Sequence, residues 1–133
     1  MNVNLLAISF AAVAAWLFGA AWYMALGRLL PDALRSDREI ATNDTKPPVK
    51  ALIISFVAEL VMATMLAGLI THLGGANIRA GLIIGFFCWL GFVATTLVTN
   101  DAYLQEKPSK TTIDAGHWLG VLLIQGTILG AMG

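Results

Sequence analysis

The residue in this sequence whose type and position best suit chemistry is Glu59, a lone carboxylate in a long apolar segment. Residues 51–78 contain no other Asp, Glu, Lys or Arg. A helix that rises about 1.5 Å per residue carries Glu59 about 13 Å beyond Lys50, close to the middle of a bilayer. A carboxylate at that depth is costly, so we expect it to face a helix bundle or a water-filled cavity. Two interpretations remain open: proton or cation coupling in a transporter, and a structural acid hydrogen-bonded to a neighbouring helix, with Ser55 one turn away.

A second pair of candidates, Asp114 and His117, opens the last apolar segment. We expect His117 to lie on the same half of the membrane as Glu59, where the two side chains would titrate as a unit if they meet. The alternative is a histidine that donates to a backbone carbonyl near the interface. Asp114 is expected to cap the first turn of its helix, where the helix dipole favours a negative charge. Zinc takes three or four protein ligands, and only Glu59 could complete such a set, so we predict no metal site.

The remaining polar residues of the apolar segments suit packing better than catalysis. Gln125, Thr95 and Thr99 are expected to hydrogen-bond between helices rather than to a substrate. Catalytic triads, phosphate-binding glycine loops and paired cysteines are absent from the sequence, and the lone Cys88 is interpreted as a small hydrophobic residue. We therefore expect no cofactor, no catalytic residue and no enzymatic activity.

The composition indicates that these groups lie in a membrane. The chain has 133 residues, of which 58% are hydrophobic and 12% charged, whereas a soluble domain averages about 25% charged residues. So few charges cannot coat a small globule, and lipid is the surrounding that such side chains need. The net charge of zero argues against a nucleic-acid partner, because phosphate binding requires a basic surface.

Four long uncharged or nearly uncharged runs predict four transmembrane helices. About 20 helical residues cross the hydrocarbon, and the runs lack the period-two alternation of barrel strands. Pro47 and Pro48 suit the start of the second helix, and Thr111 with Asp114 predicts a capping box at the start of the fourth. The prediction is an all-α, single-domain, four-helix transmembrane bundle over 1–133, with helices at about 4–27, 49–73, 79–99 and 112–132 and a cytoplasmic loop at 28–48.

The positive charges predict an orientation. Seven Lys and Arg residues lie in the first and third loops, whereas the other side has only Arg79. By the positive-inside rule both termini should lie outside the cytoplasm. The seven are Arg28, Arg35, Arg38, Lys46, Lys50, Lys107 and Lys110.

Small residues at four-residue spacing predict where the helices pack, because lipid favours close backbone approach. On the fourth helix, Gly116 and Gly120 lie opposite the face that carries His117 and Gln125. A helix with contacts on two sides suggests further helices, so we expect a homo-oligomer, most simply a dimer. The other predicted seams are Ala7, Ala11, Ala15 and Gly19 in the first helix, and Gly81 and Gly85, continued by Cys88, Thr95 and Thr99, in the third.

Three short stretches are similar to a known family: Gly-Ala-Ala-Trp-Tyr at 19–23, Gly-Phe-Val-Ala-Thr-Thr at 91–96 and Ile-Asp-Ala-Gly-His at 113–117. With four spans and this length, the chain resembles the bacterial membrane family catalogued as domain of unknown function 1761. The resemblance implies a small bacterial inner-membrane protein and adds weight to Trp22, Tyr23, Asp114 and His117. It implies no catalytic residues.

Two functional hypotheses follow. A small oligomeric transporter or channel would use Glu59, and it predicts a polar cavity that reaches this carboxylate. A structural or accessory protein that binds lipid or a partner membrane protein predicts a closed, dry bundle. A membrane enzyme, the least favoured class, would need Glu59, Asp114 and His117 to converge around one cleft.

Overall fold

The computed structural model describes residues 4–34 and 46–133. Arg35, Arg38 and most of the predicted 28–48 loop lie outside the described residues. Within the two described ranges the chain is helical and no strand is present. The helices are α1 (Leu5–Leu29), α2 (Pro31–Leu34), α3 (Val49–Leu73), α4 (Ile78–Leu104) and α5 (Pro108–Met132).

Four of these helices, α1, α3, α4 and α5, are long and apolar enough to cross a membrane. The shortest have 25 residues, about 37 Å at 1.5 Å per residue, which exceeds the hydrocarbon thickness of about 30 Å. Large apolar side chains cover their outer faces, as in Ile53, Phe87 and Phe92. The predicted all-α, multi-pass membrane fold is confirmed.

The loop between α4 and α5 is shorter than predicted. Helix α4 continues past residue 99 to Leu104 and ends where Gln105 adopts a left-handed backbone conformation, φ 57°. Helix α5 begins at Pro108 rather than at residue 112, because a proline suits the first helical position. The predicted capping box is therefore wrong. Thr111 lies inside α5, and its hydroxyl donates to Asp101 Oδ2 at 2.7 Å, which ties α4 to α5.

Helix α5 lies at the centre of the bundle and contacts α1, α3 and α4. On one side its backbone touches α4 so closely that a Cβ added at Gly81 would lie 1.9 Å from the carbonyl oxygen of Gly126. On another side, Gly116 and Gly120 leave room for Trp22 and Phe18 of α1. Both sides of α5 are thus covered within one chain. The contacts on two sides of α5 therefore give no support for an oligomer, and the homo-oligomer stays a prediction.

The contact face predicted along α4 is interrupted by a π-helical segment, Trp89–Ala94, so that residues before and after it face different directions. Gly81 and Gly85 are buried against α5, but Thr95 and Thr99 are exposed and donate to carbonyls of their own helix, at 2.9 and 2.8 Å. The expected interhelical bonds of these two threonines are therefore not formed. Hydrogen bonds from i to i+5 insert one residue, which turns the rest of the helix by about 100° relative to its start.

Candidate functional site

A cavity of about 870 Å³ lies between α1, α3 and α5. It is found at the end of the bundle that carries Arg28, Lys50, Lys107 and Lys110, which we call the basic end, and we call this space the basic-end cavity. Its outer part is lined by residues of α1, of α2 and of the segment before α3, including Arg28, Pro31 and Pro47. A bond from Lys107 Nζ to the carbonyl of Asp32, 3.0 Å, holds α2 beside the start of α5.

The inner end of the basic-end cavity is formed by Glu59. Glu59 belongs to the buried face of α3, together with Ala63, Leu66 and Ile70, which recur at helical spacing. The residue is only 2% exposed, and its Oε2 has no hydrogen-bond partner in the part of the chain that the structure describes. The carboxylate is therefore positioned by packing and leaves a polar atom free for a proton or a ligand.

Ser55 and Gln125 flank this carboxylate but do not bond to it among the described contacts. The Ser55 hydroxyl donates to the carbonyl of Leu52 at 2.9 Å and accepts the indole N–H of Trp16 at 3.0 Å. Gln125 donates from Nε2 to the backbone carbonyl of Glu59 at 2.9 Å, an interhelical bond between α5 and α3. Gln125 Oε1 is buried without a partner in the described ranges. Ser55, one turn from Glu59, thus contacts α1 rather than the carboxylate.

His117 lines the same cavity from α5. It is 5% exposed and lies among aromatic rings, with ring centroids 4.9 Å from Tyr23 and 4.6 Å from Trp118. Gly19 provides the necessary space, because a Cβ there would lie 2.7 Å from His117 Nε2. In the described ranges no ion pair links His117 with Glu59, and His117 Nδ1 is buried without a partner. The two side chains share a cavity, but neither the predicted pair nor a bond from Nδ1 to a carbonyl is formed.

Asp114 faces α1 rather than the cavity. It lies in the second turn of α5, so the predicted first-turn cap is wrong; the helix begins earlier than expected. Its Oδ1 accepts the hydroxyl proton of Tyr23 at 2.6 Å, and its Oδ2 lies 3.7 Å from Lys110 Nζ. The neighbouring Trp22 donates its indole N–H to the carbonyl of Ile113 at 3.2 Å.

These contacts bring the three stretches singled out in the sequence to one level of α5. Stretches 19–23 and 113–117 meet through Trp22, Tyr23 and His117. Stretch 91–96 overlaps the π-helical segment, whose first residue, Trp89, donates its indole N–H to the carbonyl of Ala115 at 2.8 Å. A family model described as Protein of unknown function (DUF1761) matches residues 6–130.

The chain belongs to this family. The match spans all four long helices except the first residue of α1 and the last two residues of α5. No curated protein and no solved structure matches this DUF1761 chain. Its functional groups must therefore be argued from the geometry of its own residues.

The structure of this DUF1761 protein adds two groups that the sequence interpretation missed. Trp16 and Trp118, which are not among the candidates named from the sequence, line the basic-end cavity. Trp16 shares helical spacing with Gly19, Ala20 and Tyr23, a signal that could have placed it there. Asp101, 8% exposed, is the acceptor that joins α4 to α5 through Thr111.

The acidic and imidazole side chains near this site do not form one cluster among the described residues. Among the described residues of the DUF1761 chain, no three His, Cys, Asp or Glu side chains are grouped so as to hold a metal ion. The carboxylate of Asp114 is engaged by Tyr23 and Lys110, and Asp114 does not line the cavity with Glu59 and His117. The convergence that a membrane enzyme would need is therefore incomplete.

A second, smaller cavity of about 320 Å³ lies at the opposite end of the bundle, lined by Asn4, Ala67 and Leu129 among others. We call it the opposite-end cavity. Asn4 donates to the carbonyl of Met132 at 2.8 Å and so joins the two chain ends there. A buried layer separates the two cavities, formed by Ala11, Ala12, Ala63, Leu66, Leu122 and Gln125.

Proposed function

We propose that this protein is a small membrane transporter in which Glu59 is the coupling group of the substrate path. The observation that carries the proposal is the basic-end cavity, which reaches a nearly fully buried carboxylate whose Oε2 has no described partner. An ionisable side chain inside a membrane is expensive, and it is retained most often where a proton or an ion binds.

The two cavities and the buried layer favour a transporter over an open channel. A channel needs a continuous path, whereas Ala63 and Leu66 close the path on α3 between Glu59 and the opposite-end cavity. From Glu59 to Thr64, the first residue of α3 that lines the opposite-end cavity, the layer is about 7.5 Å thick at 1.5 Å per residue. Three of its six members are alanines, whose small side chains let helices shift at low steric cost. Such a layer suits a path that opens to one side at a time.

The basic end faces the cytoplasm in this proposal. Arg28, Lys50, Lys107 and Lys110 lie at that end, and Arg79 lies at the other. The positive-inside rule then places both termini outside the cytoplasm of a bacterial inner membrane. The substrate would enter the basic-end cavity from the cytoplasmic side.

The functional particle in this proposal is a homo-oligomer, most simply a dimer. Helix α4 is the least covered of the four long helices, and Gly91, Thr95 and Thr99 are exposed on it. Small and hydroxyl-bearing residues are typical of helix–helix contacts in lipid. The mass of the detergent-solubilised particle checks this point, and a mass corresponding to one 14.1-kDa chain would contradict it.

Flux through proteoliposomes tests the transport proposal. The full chain is reconstituted with a pH-sensitive dye inside, a pH gradient is imposed, and a panel of organic cations, anions and neutral solutes is added. We expect at least one solute to move protons in the wild type and none to do so in Glu59→Gln. Glu106→Gln is the matched control, because Glu106 is an exposed carboxylate that pairs with Lys110 and does not line the cavity.

The accessory hypothesis predicts the opposite result. A protein that only binds lipid or a partner would show no solute-dependent proton movement, and Glu59→Gln would behave as the wild type does. The basic-end cavity favours transport, since the accessory hypothesis expects a closed and dry bundle.

A further inference from the structure

The charges around the basic-end cavity are distributed unevenly. Glu59 is at the inner end, and the lining residue of opposite charge, Arg28, is on the outer part of α1. Arg28 follows Gly19 by nine residues, about 13 Å along the helix, so its charge lies far from the inner end. A molecule that reaches the inner end therefore meets a carboxylate with no basic lysine or arginine beside it in the described lining.

Aromatic rings form much of the inner wall. The polar atoms of two of these rings are already used, because Trp16 donates to Ser55 and Tyr23 donates to Asp114. What Trp16 and Tyr23 can offer a ligand is ring surface, together with the ring of Trp118 on the other side. Aromatic surface attracts cations electrostatically, most strongly where water is excluded.

The same inventory disfavours other ligand classes. An anion would be repelled by Glu59 and would find no free donor in Trp16 or Tyr23, which leaves the His117 ring as the described inner group that could donate to it. A sugar or another neutral polar molecule would lose hydrogen bonds to water that so few free polar groups can replace. A volume of about 870 Å³ lies within the range of pockets that hold drug-sized molecules, about 300–1,000 Å³.

We propose that the basic-end cavity binds a monovalent organic cation with an apolar or aromatic body, with Glu59 as its counter-charge and Trp16, Tyr23 and Trp118 as its walls. The inference names the substrate class of the site described above. It rests on the proposed transport function for the movement of the cation, but not for its binding.

Binding of two ions with the same shape and opposite charge tests this inference. Tetraphenylphosphonium and tetraphenylborate are titrated separately into the detergent-solubilised full chain, and binding is followed by tryptophan fluorescence and by equilibrium dialysis. We expect the phosphonium to bind and the borate to bind at least tenfold more weakly. Glu59→Gln should weaken phosphonium binding at least tenfold, and Glu106→Gln should leave it unchanged.

Three further variants keep the result interpretable if Glu59→Gln fails to fold. Glu59→Asp retains the negative charge and should retain phosphonium binding within a few-fold. Trp16→Phe retains a ring and should bind, whereas Trp16→Leu retains apolar bulk without a ring and should bind several-fold more weakly. Helical circular dichroism and a single gel-filtration peak confirm that each variant is folded.

The outcomes separate this inference from the transport proposal. Equal binding of both ions, or phosphonium binding that is independent of Glu59, overturns the cation site. Glu59-dependent phosphonium binding without any flux in proteoliposomes supports the cation site and contradicts transport. Glu59-dependent flux of another solute class without phosphonium binding supports transport and overturns the cation site.

Discussion

Glu59 and His117, which line the inner part of the cavity, are both held by packing. Glu59 has alanine and leucine beside it on the buried face of α3, and His117 has the rings of Phe18, Tyr23 and Trp118. Insertion scales put the cost of an acidic residue at the centre of a membrane helix at about 3 kcal/mol. No described hydrogen bond to Glu59 Oε2 offsets that cost, which is why we assign the carboxylate a ligand or a proton to bind.

Gly19 is the residue that allows His117 its position, and replacing it is our prediction at this scale. In Gly19→Ala the new Cβ would lie 2.7 Å from His117 Nε2. The three surrounding rings restrict any movement of the imidazole, so we expect a loss of about 1–3 kcal/mol of stability, as for other overpacked sites. Thermal unfolding in detergent, followed by circular dichroism, measures the loss.

Gly27→Ala is the control for this change. Gly27 lies on the same helix, and nothing stands within 4 Å of a Cβ added there. Alanine in a helix is favoured over glycine by about 0.5–1 kcal/mol, so this variant should melt at the wild-type temperature or slightly above it. Equal destabilisation of both variants would show that the contact of Gly19 with His117 is unimportant.

At the scale of the elements, the central position of α5 decides the architecture. It packs on α4 backbone to backbone, on α1 through aromatic side chains over glycines, and on α3 through the bond from Gln125 to the Glu59 carbonyl. Within lipid, apolar burial alone does not drive helices together, so close contact and polar bonds must supply the attraction. At Gly81 and Gly85 the α4–α5 contact depends on the absence of side chains, whereas farther along α4 the hydrogen bonds of Trp89 and Asp101 hold the two helices together.

We predict that Gly81→Ala separates α4 from α5. The added Cβ would lie 1.9 Å from the carbonyl oxygen of Gly126, a backbone atom that no rotamer change can move. The expected loss exceeds about 3 kcal/mol, at the upper end for overpacking, and should appear as a low yield of monodisperse protein and a lower melting temperature.

Gly68→Ala on α3, where nothing lies within 4 Å of an added Cβ, provides the comparison. A Gly81→Ala protein with the yield and melting temperature of Gly68→Ala would mean that α4 does not rest on α5 as described.

At the scale of the whole molecule, two cavities in the described part of the chain approach a common buried layer from opposite ends. The larger reaches Glu59 from the basic end, and the smaller reaches Ala7 and Ile70 from the other. The centre of the bundle is closed in this arrangement, and the larger cavity leads from the basic end as far as Glu59. Water access to that path is therefore a property of the assembled bundle rather than of any single helix.

Cysteine labelling tests that access. In a Cys88→Ala background, Ser55→Cys places a thiol in the cavity lining, and Val57→Cys places one on the 51%-exposed outer face at nearly the same depth. A thiol reacts with a maleimide as the thiolate, which forms in water and not in lipid. We expect a membrane-impermeant maleimide to label Ser55→Cys much faster than Val57→Cys.

The side from which the reagent works also tests the proposed orientation. Labelling of Ser55→Cys should be fast in vesicles with the cytoplasmic face outward and slow in vesicles of the opposite sense. Labelling from the opposite sense alone would contradict the orientation, and equal labelling of the two cysteines would contradict the cavity.

The sequence by itself determined the class of structure and most helix positions. Hydropathy and charge are summed over local windows, so four long, nearly uncharged runs in a chain that is 58% hydrophobic are enough to require spanning helices. Glu59 was identified for the same reason, because it is the one charged residue in an otherwise uncharged window, residues 51–78. Errors appeared where polar residues continued a helix beyond the apolar run, as from Asn100 to Leu104 and from Pro108 to Thr111.

Only the tertiary structure decided which side chains meet. Tyr23 and Asp114 are 91 residues apart, and their bond exists because Gly19 and Gly116 let α1 and α5 approach. The face of α4 that carries Thr95 was displaced by a π-helical turn, which regular helical spacing does not encode. Cavities and interhelical bonds depend on how several helices pack at once. A window along one segment of the chain contains no information about the distances between side chains on different helices.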